Sequence, residues 1–179
     1  LYLEFDRRPD KRFYAPRKNQ LKKIVDGYQD IADGKLDLLT VSMPKRCGKS
    51  QLGSILFSIW RAGMYTDKSI LLTGQGDQLV KSFYDGCLEI LQDKATYNYW
   101  DVFPGCSIAN TNAELKSIDF NTKSRFPTIT CRSIDGKLTG ATESSNFLSI
   151  DDPVSGFEES QNYQRLDLLW NKIRGDVLG

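Results

Sequence analysis

The sequence predicts an α/β domain in which helices cover a mostly parallel central sheet. Short apolar runs rich in β-forming residues alternate along the chain with longer runs whose apolar residues recur every three or four positions. This alternation favours parallel strands joined by helices that lie on both faces of the sheet. The 179 residues, 40% hydrophobic and 26% charged, have the size and composition of one globular domain, so residues 1–179 are assigned to a single domain.

The first half of the chain predicts an arm, two helices and two strands. Residues 1–18 are basic and aromatic without a regular period, which indicates an extended arm. Apolar residues at helical spacing predict a helix over 19–32. Residues 36–43 (LDLLTVSM) are rich in β-forming residues and predict a buried strand. A one-sided helix is expected over 51–63, followed by a strand over 69–73.

The second half continues the alternation less regularly. A helix over 77–91 has apolar residues on one side, whereas residues 94–123 are weakly patterned. Short strands are predicted at 128–131 and 147–150, and a last helix at 158–173. The tryptophans of the predicted helices, Trp60 and Trp170, fall on apolar stripes and are expected in the core.

Composition excludes several kinds of chemistry. The chain contains no histidine, and none of its four cysteines forms a C-x-x-C pair. Zinc sites of the Cys/His type, Ser-His-Asp triads and histidine bases are therefore excluded. The widely spaced cysteines predict reduced thiols of a cytosolic protein. The longest apolar stretch, residues 52–60, is too short to span a membrane, and the first residue is Leu rather than Met, which suggests a fragment.

The charge of the chain is nearly balanced but unevenly distributed. The formal net charge is +1, yet residues 7–23 carry eight basic residues against one acidic residue. Such a cluster suits phosphates or nucleic acid, although a solvated helix face with its leader has the same composition.

A phosphate-binding loop is predicted at residues 42–50 (SMPKRCGKS), between a predicted strand and a predicted helix. Its end, Gly48-Lys49-Ser50, matches the second half of the pattern G-x-x-x-x-G-K-[ST], but Met43 replaces the first glycine. A glycine lets successive N–H groups point at phosphate oxygens, Lys49 would reach the β- and γ-phosphates of ATP, and the Ser50 hydroxyl would bind Mg²⁺. The residues expected to contact the nucleotide are Pro44, Lys45, Arg46, Cys47, Gly48, Lys49, Ser50 and Gln51.

A second element, residues 147–153 (FLSIDDP), is an apolar strand that ends in two carboxylates. Alone, such a pattern more often caps a turn. After a phosphate loop it predicts that Asp151 lies in the Mg²⁺ shell, and that Asp152 polarises the attacking water.

Further short motifs accompany these two elements in a fixed order. They are RFYAPRKNQLKKIVDGYQDIADGKLDLLTVSMPKRCGKS, LLTGQGDQLVKSF, the FPG turn, the LTG loop and the FLSIDDPV…EES run. In this order they resemble the ATPase domain of the large terminase subunit, the motor that packages DNA into tailed-phage heads.

The resemblance implies an additional-strand P-loop ATPase that couples ATP hydrolysis to translocation of double-stranded DNA. It implies as partners the portal protein, the small terminase subunit and neighbouring copies in a ring, in the host cytoplasm and transiently at the prohead portal. Residue by residue, it implies that Arg46 senses the γ-phosphate and acts in catalysis with Lys49 and Asp152, and that Gln20 contacts adenine.

The chain departs from that family in three places. Asp152 stands where the family commonly has a catalytic Glu. Glu158 and Glu159 are the alternative candidates for the catalytic acid. No arginine precedes the glycine of the LTG loop, so Lys137, Arg132 or Arg174 would have to act as arginine finger, unless a neighbouring copy supplies it. The family's coupling motif and nuclease domain are expected beyond residue 179. Two alternatives remain open: another DNA-dependent P-loop ATPase such as a helicase, and a catalytically silent nucleotide- or DNA-binding module.

Overall fold

The structure, a computed structural model of the chain, describes residues 1–136, 144–154 and 160–176. Five strands form one sheet. They are Ile70–Gly74 (β1), Ile108–Asn112 (β2), Ser117–Phe120 (β3), Ile129–Ser133 (β4) and Phe147–Asp151 (β5). Their order in the sheet is β2-β3-β4-β1-β5.

Five helices accompany the sheet in the described ranges. They are Lys18–Ala32 (α1); a π-helical Gln51–Phe57 that continues as an α-helical Ser58–Met64 (together α2); Asp77–Gln92 (α3); Tyr99–Val102 (α4); and Tyr163–Asp176 (α5). The arm before α1 contains two short 3₁₀ turns, Pro9–Lys11 and Ala15–Arg17. Within these ranges, no helix has the length and apolar character that crossing a membrane requires.

The α/β class is confirmed, but the sheet is only partly parallel. β1 pairs in parallel with β4 and β5, whereas the pairs β2–β3 and β3–β4 are antiparallel. The prediction of a mostly parallel sheet missed the hairpin β2–β3, which lies in the weakly patterned residues 94–123. Its first strand, IANTN, lies at the sheet edge and is never fully buried, so its sequence lacks the apolar run of an inner strand.

The two faces of the sheet are covered by different helices. Side chains alternate between the faces along a strand, and register partners in parallel strands share a face. Leu72 of β1 registers with Cys131 of β4, and both lie in the main core with residues of α2 and α3. On the opposite face, Ile150 packs beside Ile134 and, from α5, Ile173. Helices therefore flank both faces, as predicted.

The predicted strand at 36–43 is wrong. These residues form no strand, and the side chain of Leu38 is 80% exposed. Both edges of β1 are occupied by β4 and β5, and the segment pairs with no other strand of the described sheet. The segment is therefore a partly exposed connection between α1 and the loop before α2, with Leu39 and Met43 packed against the core. Trp170 was also misplaced, because its side chain on α5 is 56% exposed rather than in the core.

A pair of leucine substitutions tests this correction. We expect Leu38→Ala to change the free energy of unfolding by less than about 0.5 kcal/mol, because an exposed side chain loses little burial. Leu72→Ala, in the fully buried strand β1, should cost about 2–5 kcal/mol. Urea unfolding of both variants measures the difference. Equal costs would show that residues 36–43 are buried in solution.

The four cysteines are free thiols, as predicted. Cys87 and Cys131 are buried, and burial raises the pKa of the Cys87 thiol to about 12. A thiol with such a pKa is not a nucleophile at neutral pH. The buried Cys87 thiol is therefore a packing residue and not a reactive group.

Candidate phosphate-binding site

Residues 44–48 form a loop, hereafter the candidate loop, which turns through the left-handed backbone region twice. Arg46 has φ 64° and Gly48 has φ 86°. Glycine adopts such angles freely, whereas a side chain makes them uncommon and strained. Alternation of left-handed with ordinary residues directs consecutive N–H groups into one concave surface, which suits an anion. The loop leads directly into α2, whose first turn has N–H groups without intrahelical partners.

The Lys49 side chain joins the candidate loop to the end of β5. Its Nζ lies 2.9 Å from Oδ1 of Asp151 and also contacts the carboxylate of Asp152. Burial lowers the pKa of Lys49, but the ionic contacts with Asp152 and Asp151 outweigh this effect and leave the pKa raised. The ammonium is therefore charged at neutral pH, and the two predicted elements meet around it.

Asp151 is a buried carboxylate with little compensation. It is the last residue of β5 and is 4% exposed. Apart from the Lys49 ammonium, no described group lies within ion-pair or hydrogen-bond distance of its oxygens. Buried charges of this kind are costly unless paired or bound to a metal.

These features fit a magnesium ion held with few protein ligands. The Ser50 side chain, next to Lys49, makes no capping hydrogen bond to the helix, so its hydroxyl is available as a ligand. The described ranges hold no group of three or more carboxylates and thiols arranged to bind a metal. Mg²⁺ is usually bound by one or two protein oxygens together with waters and phosphate oxygens, and this set suits it better than a metal that needs a full protein cage.

Asp152 differs from its neighbour in exposure and backbone. Its side chain is 65% exposed and its φ is 42°, so it has left the extended geometry of β5. Arg46 and Asp152 are two of the four non-glycine residues with positive φ in the described ranges. Backbone strain of this kind concentrates at functional sites. The alternative acids Glu158 and Glu159 lie outside the described residues.

Two further predicted nucleotide contacts, Gln20 and Gln51, lie on helices α1 and α2. Gln20 is exposed on the first turns of α1, and its contact with adenine stays a prediction. Gln51, at the start of α2, faces a cavity of about 110 Å³ beneath the arm, together with Phe13. Glu4 and Glu89 also line this cavity, and their carboxylates make it unsuited to a phosphate.

Of the candidate arginine fingers, the structure describes Arg132 and Arg174. Arg132 registers with Thr73 of β1, whereas Asp151 registers with the next residue of the same strand. Because neighbouring residues of a strand point to opposite faces, Arg132 and Asp151 lie on opposite sides of the sheet. Arg174 is exposed on α5, and Lys137 lies outside the described residues.

Two aromatic residues near the loop had no signal in the sequence that pointed to the site. Phe13 belongs to the arm, which has no regular period, and Tyr28 belongs to the apolar stripe of α1. The structure places Phe13 against Gly48 and Tyr28 against Gly53 of α2. An apolar stripe shows which residues are buried, but not what they cover.

Comparison with known proteins does not assign the chain to a family. No protein-family model matches the chain, and neither does any curated protein or solved structure. The resemblance to terminase ATPase domains therefore stays a prediction from the motifs, and the function is argued from the site itself.

Proposed function

We propose that the chain is a Mg²⁺-dependent P-loop ATPase, the motor domain of a terminase large subunit that drives double-stranded DNA into a prohead. The observation that carries this proposal is the position of Lys49, whose ammonium touches Asp152, 103 positions further along the chain, and its neighbour Asp151. A lysine after a left-handed glycine, facing carboxylates at the end of a strand, is typical of the site in which P-loop NTPases transfer a phosphoryl group.

The topology gives partial support for the P-loop assignment, because the candidate loop precedes a helix but does not follow a strand of the described sheet. The strands β4, β1 and β5 run parallel, and the contact between Lys49 and Asp151 places the candidate loop at the carboxyl end of β5. Ligands of open α/β sheets bind outside the carboxyl ends of the parallel strands.

Each group at the site has a part in hydrolysis. With the ATP phosphates in the candidate loop, Lys49 would leave the two carboxylates and offset the charge on the β- and γ-phosphates, with Arg46 beside it. Asp151 and Ser50 would hold Mg²⁺, which supplies further positive charge at the phosphates. Asp152, the exposed acid, would orient the attacking water.

The DNA, portal, small-subunit and ring partners are proposed from the resemblance, and the surface charge gives partial support for DNA. Four basic residues of the arm and α1 are already paired with carboxylates: Arg7 with Asp101, Arg8 with Asp6, Lys11 with Asp10 and Lys22 with Asp26. Lys18 and Lys23 of α1 are exposed and form no ion pair with any described residue. A single copy would therefore grip DNA weakly, through few phosphate contacts.

Charge reversal on α1 tests the DNA contact. We expect Lys18→Glu and Lys23→Glu each to lower the salt dependence of duplex binding, with a slope of log K against log salt smaller by about 1 per lysine. The double variant Lys22→Gln/Asp26→Asn is the matched control, since it removes an ion pair from the same helix without changing the net charge. Fluorescence anisotropy with a labelled duplex over a salt series measures the slopes. Unchanged slopes for Lys18 and Lys23 would remove α1 from the DNA path.

The ATPase proposal is tested by nucleotide binding and phosphate release. We expect the chain to bind ATP in the presence of Mg²⁺, to lose this binding in EDTA, and to hydrolyse ATP slowly by itself. An arginine supplied by a neighbour contributes about 10³ to 10⁵ in rate, and an isolated copy lacks it. Binding without any turnover, with or without duplex DNA, would favour the catalytically silent module. Absence of binding at millimolar ATP would contradict the proposal.

A further inference from the structure

Two aromatic residues of the N-terminal segment occupy the space beside two glycines of the loop and helix that carry Lys49. The first is Phe13. A Cβ atom on Gly48 would lie 2.3 Å from Cζ of the Phe13 ring, which no real Cβ tolerates. The guanidinium of Arg17 lies 4.8 Å from the centroid of the same ring, and Arg17 donates a hydrogen bond of 2.9 Å to the Phe13 carbonyl. Phe13 is thus held in place while its ring edge rests on the candidate loop.

The second residue is Tyr28 of α1, which is buried. A Cβ atom on Gly53 would lie 2.1 Å from the Tyr28 hydroxyl oxygen and 3.0 Å from Cζ. The Tyr28 ring packs on Phe57 with a centroid separation of 4.6 Å. Glycine inside a helix costs about 1 kcal/mol relative to alanine. The backbone of Gly53 does not have a positive φ, so its conformation does not require glycine. The close approach of the Tyr28 hydroxyl explains why residue 53 has no side chain.

The charges of Asp151 and Lys49 at the candidate site also act on the Tyr28 hydroxyl. Burial raises the pKa of Tyr28 to about 12, the charge of Asp151 acts in the same direction, and the charge of Lys49 opposes it. The phenol therefore stays protonated at neutral pH.

We propose that Tyr28 and Phe13 are positioning residues for the phosphate loop: they set the distance of α2, and with it Lys49 and Ser50, from Asp151. This inference rests on the proposed ATPase function. Because the two contacts come from α1 and the arm, a partner that displaces these elements would lower the affinity for nucleotide. Bound nucleotide would in turn lower the affinity for that partner by the same factor.

The test uses the glycine and the tyrosine together. Gly53→Ala should raise the Kd for Mg²⁺-ATP by about 10- to 100-fold, since small misplacements of binding groups have effects of this size. In a Tyr28→Phe background the nearest atom to the new methyl is Cζ at 3.0 Å, so the same glycine substitution should cost much less. Phe13→Leu should raise the Kd without removing turnover by the bound complex.

Gly63→Ala is the matched control. Gly63 lies at the far end of α2, where a Cβ would lie 2.6 Å from the Phe103 ring, so this variant strains the same helix away from Lys49. It should lower the melting temperature but leave the Kd of the folded protein unchanged. A merely structural role for Tyr28 predicts instead that Gly53→Ala and Gly63→Ala behave alike.

Nucleotide titrations and thermal melts of the full chain separate the outcomes. A wild-type chain that binds no ATP would overturn the proposed function and this inference with it. A wild-type chain that binds ATP, with a folded Gly53→Ala variant of equal affinity, would overturn this inference alone. If Gly53→Ala does not fold, Tyr28→Phe and Phe13→Leu decide, and unchanged affinity in both variants would overturn it.

Discussion

Lys49→Ala is expected to lose measurable binding and hydrolysis of ATP. The Lys49 ammonium offers three donors, and each hydrogen bond of a charged group to phosphate contributes about 1.5–3 kcal/mol. Loss of two such bonds raises the Kd by more than about 100-fold. Isothermal titration and a phosphate-release assay measure the effect. Lys123→Ala is the control, because Lys123 lies outside the candidate loop, is exposed and forms no ion pair with the described residues.

Among the described residues, the same substitution removes the one cation that pairs with Asp151. Leaving a buried carboxylate unpaired costs about 3–5 kcal/mol of stability, so lost binding could reflect lost folding. The double variant Lys49→Ala/Asp151→Asn avoids the uncompensated charge. It should recover most of the stability in urea unfolding, and Asp151→Asn alone, which keeps Lys49, should bind ATP more tightly than the double variant. Wild-type affinity in a folded Lys49→Ala protein would contradict the assignment of Lys49 to the phosphates.

The elements that could be predicted from the sequence are those whose burial is regular. The helix at 77–91 and the strand at 69–73 were placed within one residue at each end, because one carries a strong apolar stripe and the other is buried throughout. The approach of Lys49 to Asp151 was expected from the pairing of the loop motif with the carboxylates after β5, although the strand predicted before the loop does not form.

The remaining errors share one physical cause. The run LDLLTVSM has the composition of a buried strand, but a strand needs a neighbour to pair with, and its neighbours cannot be read from its own residues. Trp170 follows a helical stripe of which only part faces the sheet, through Leu169 and Ile173. The contacts of Phe13 with Gly48 and of Tyr28 with Gly53 also could not be predicted. Each joins two separate segments, and the residues of one segment do not show which segment packs on it.

Asp152→Asn should separate binding from turnover. In the structure the Asp152 carboxylate holds the Lys49 ammonium, which ATP must attract away. An exposed ion pair contributes up to about 1 kcal/mol, so releasing Lys49 should tighten ATP binding by up to about fivefold. Loss of the residue that orients water should lower turnover by about 10² to 10⁴. Asparagine tolerates the left-handed backbone at φ 42° well, so the fold should be preserved.

Opposite shifts of affinity and rate are the signature of this assignment, because a general loss of structure would weaken both. Asp101→Asn is the matched control, since it also removes an exposed carboxylate from an ion pair, with Arg7 on the arm, and should change neither quantity. Titration with a nonhydrolysable ATP analogue gives the affinity, and single-turnover phosphate release gives the rate. If Asp152→Asn hydrolyses ATP at the wild-type rate, the water-orienting acid is another residue, and Glu158 and Glu159 are the next to replace. If the rate falls while the affinity falls equally, Asp152 supports the shape of the site and does not act on water.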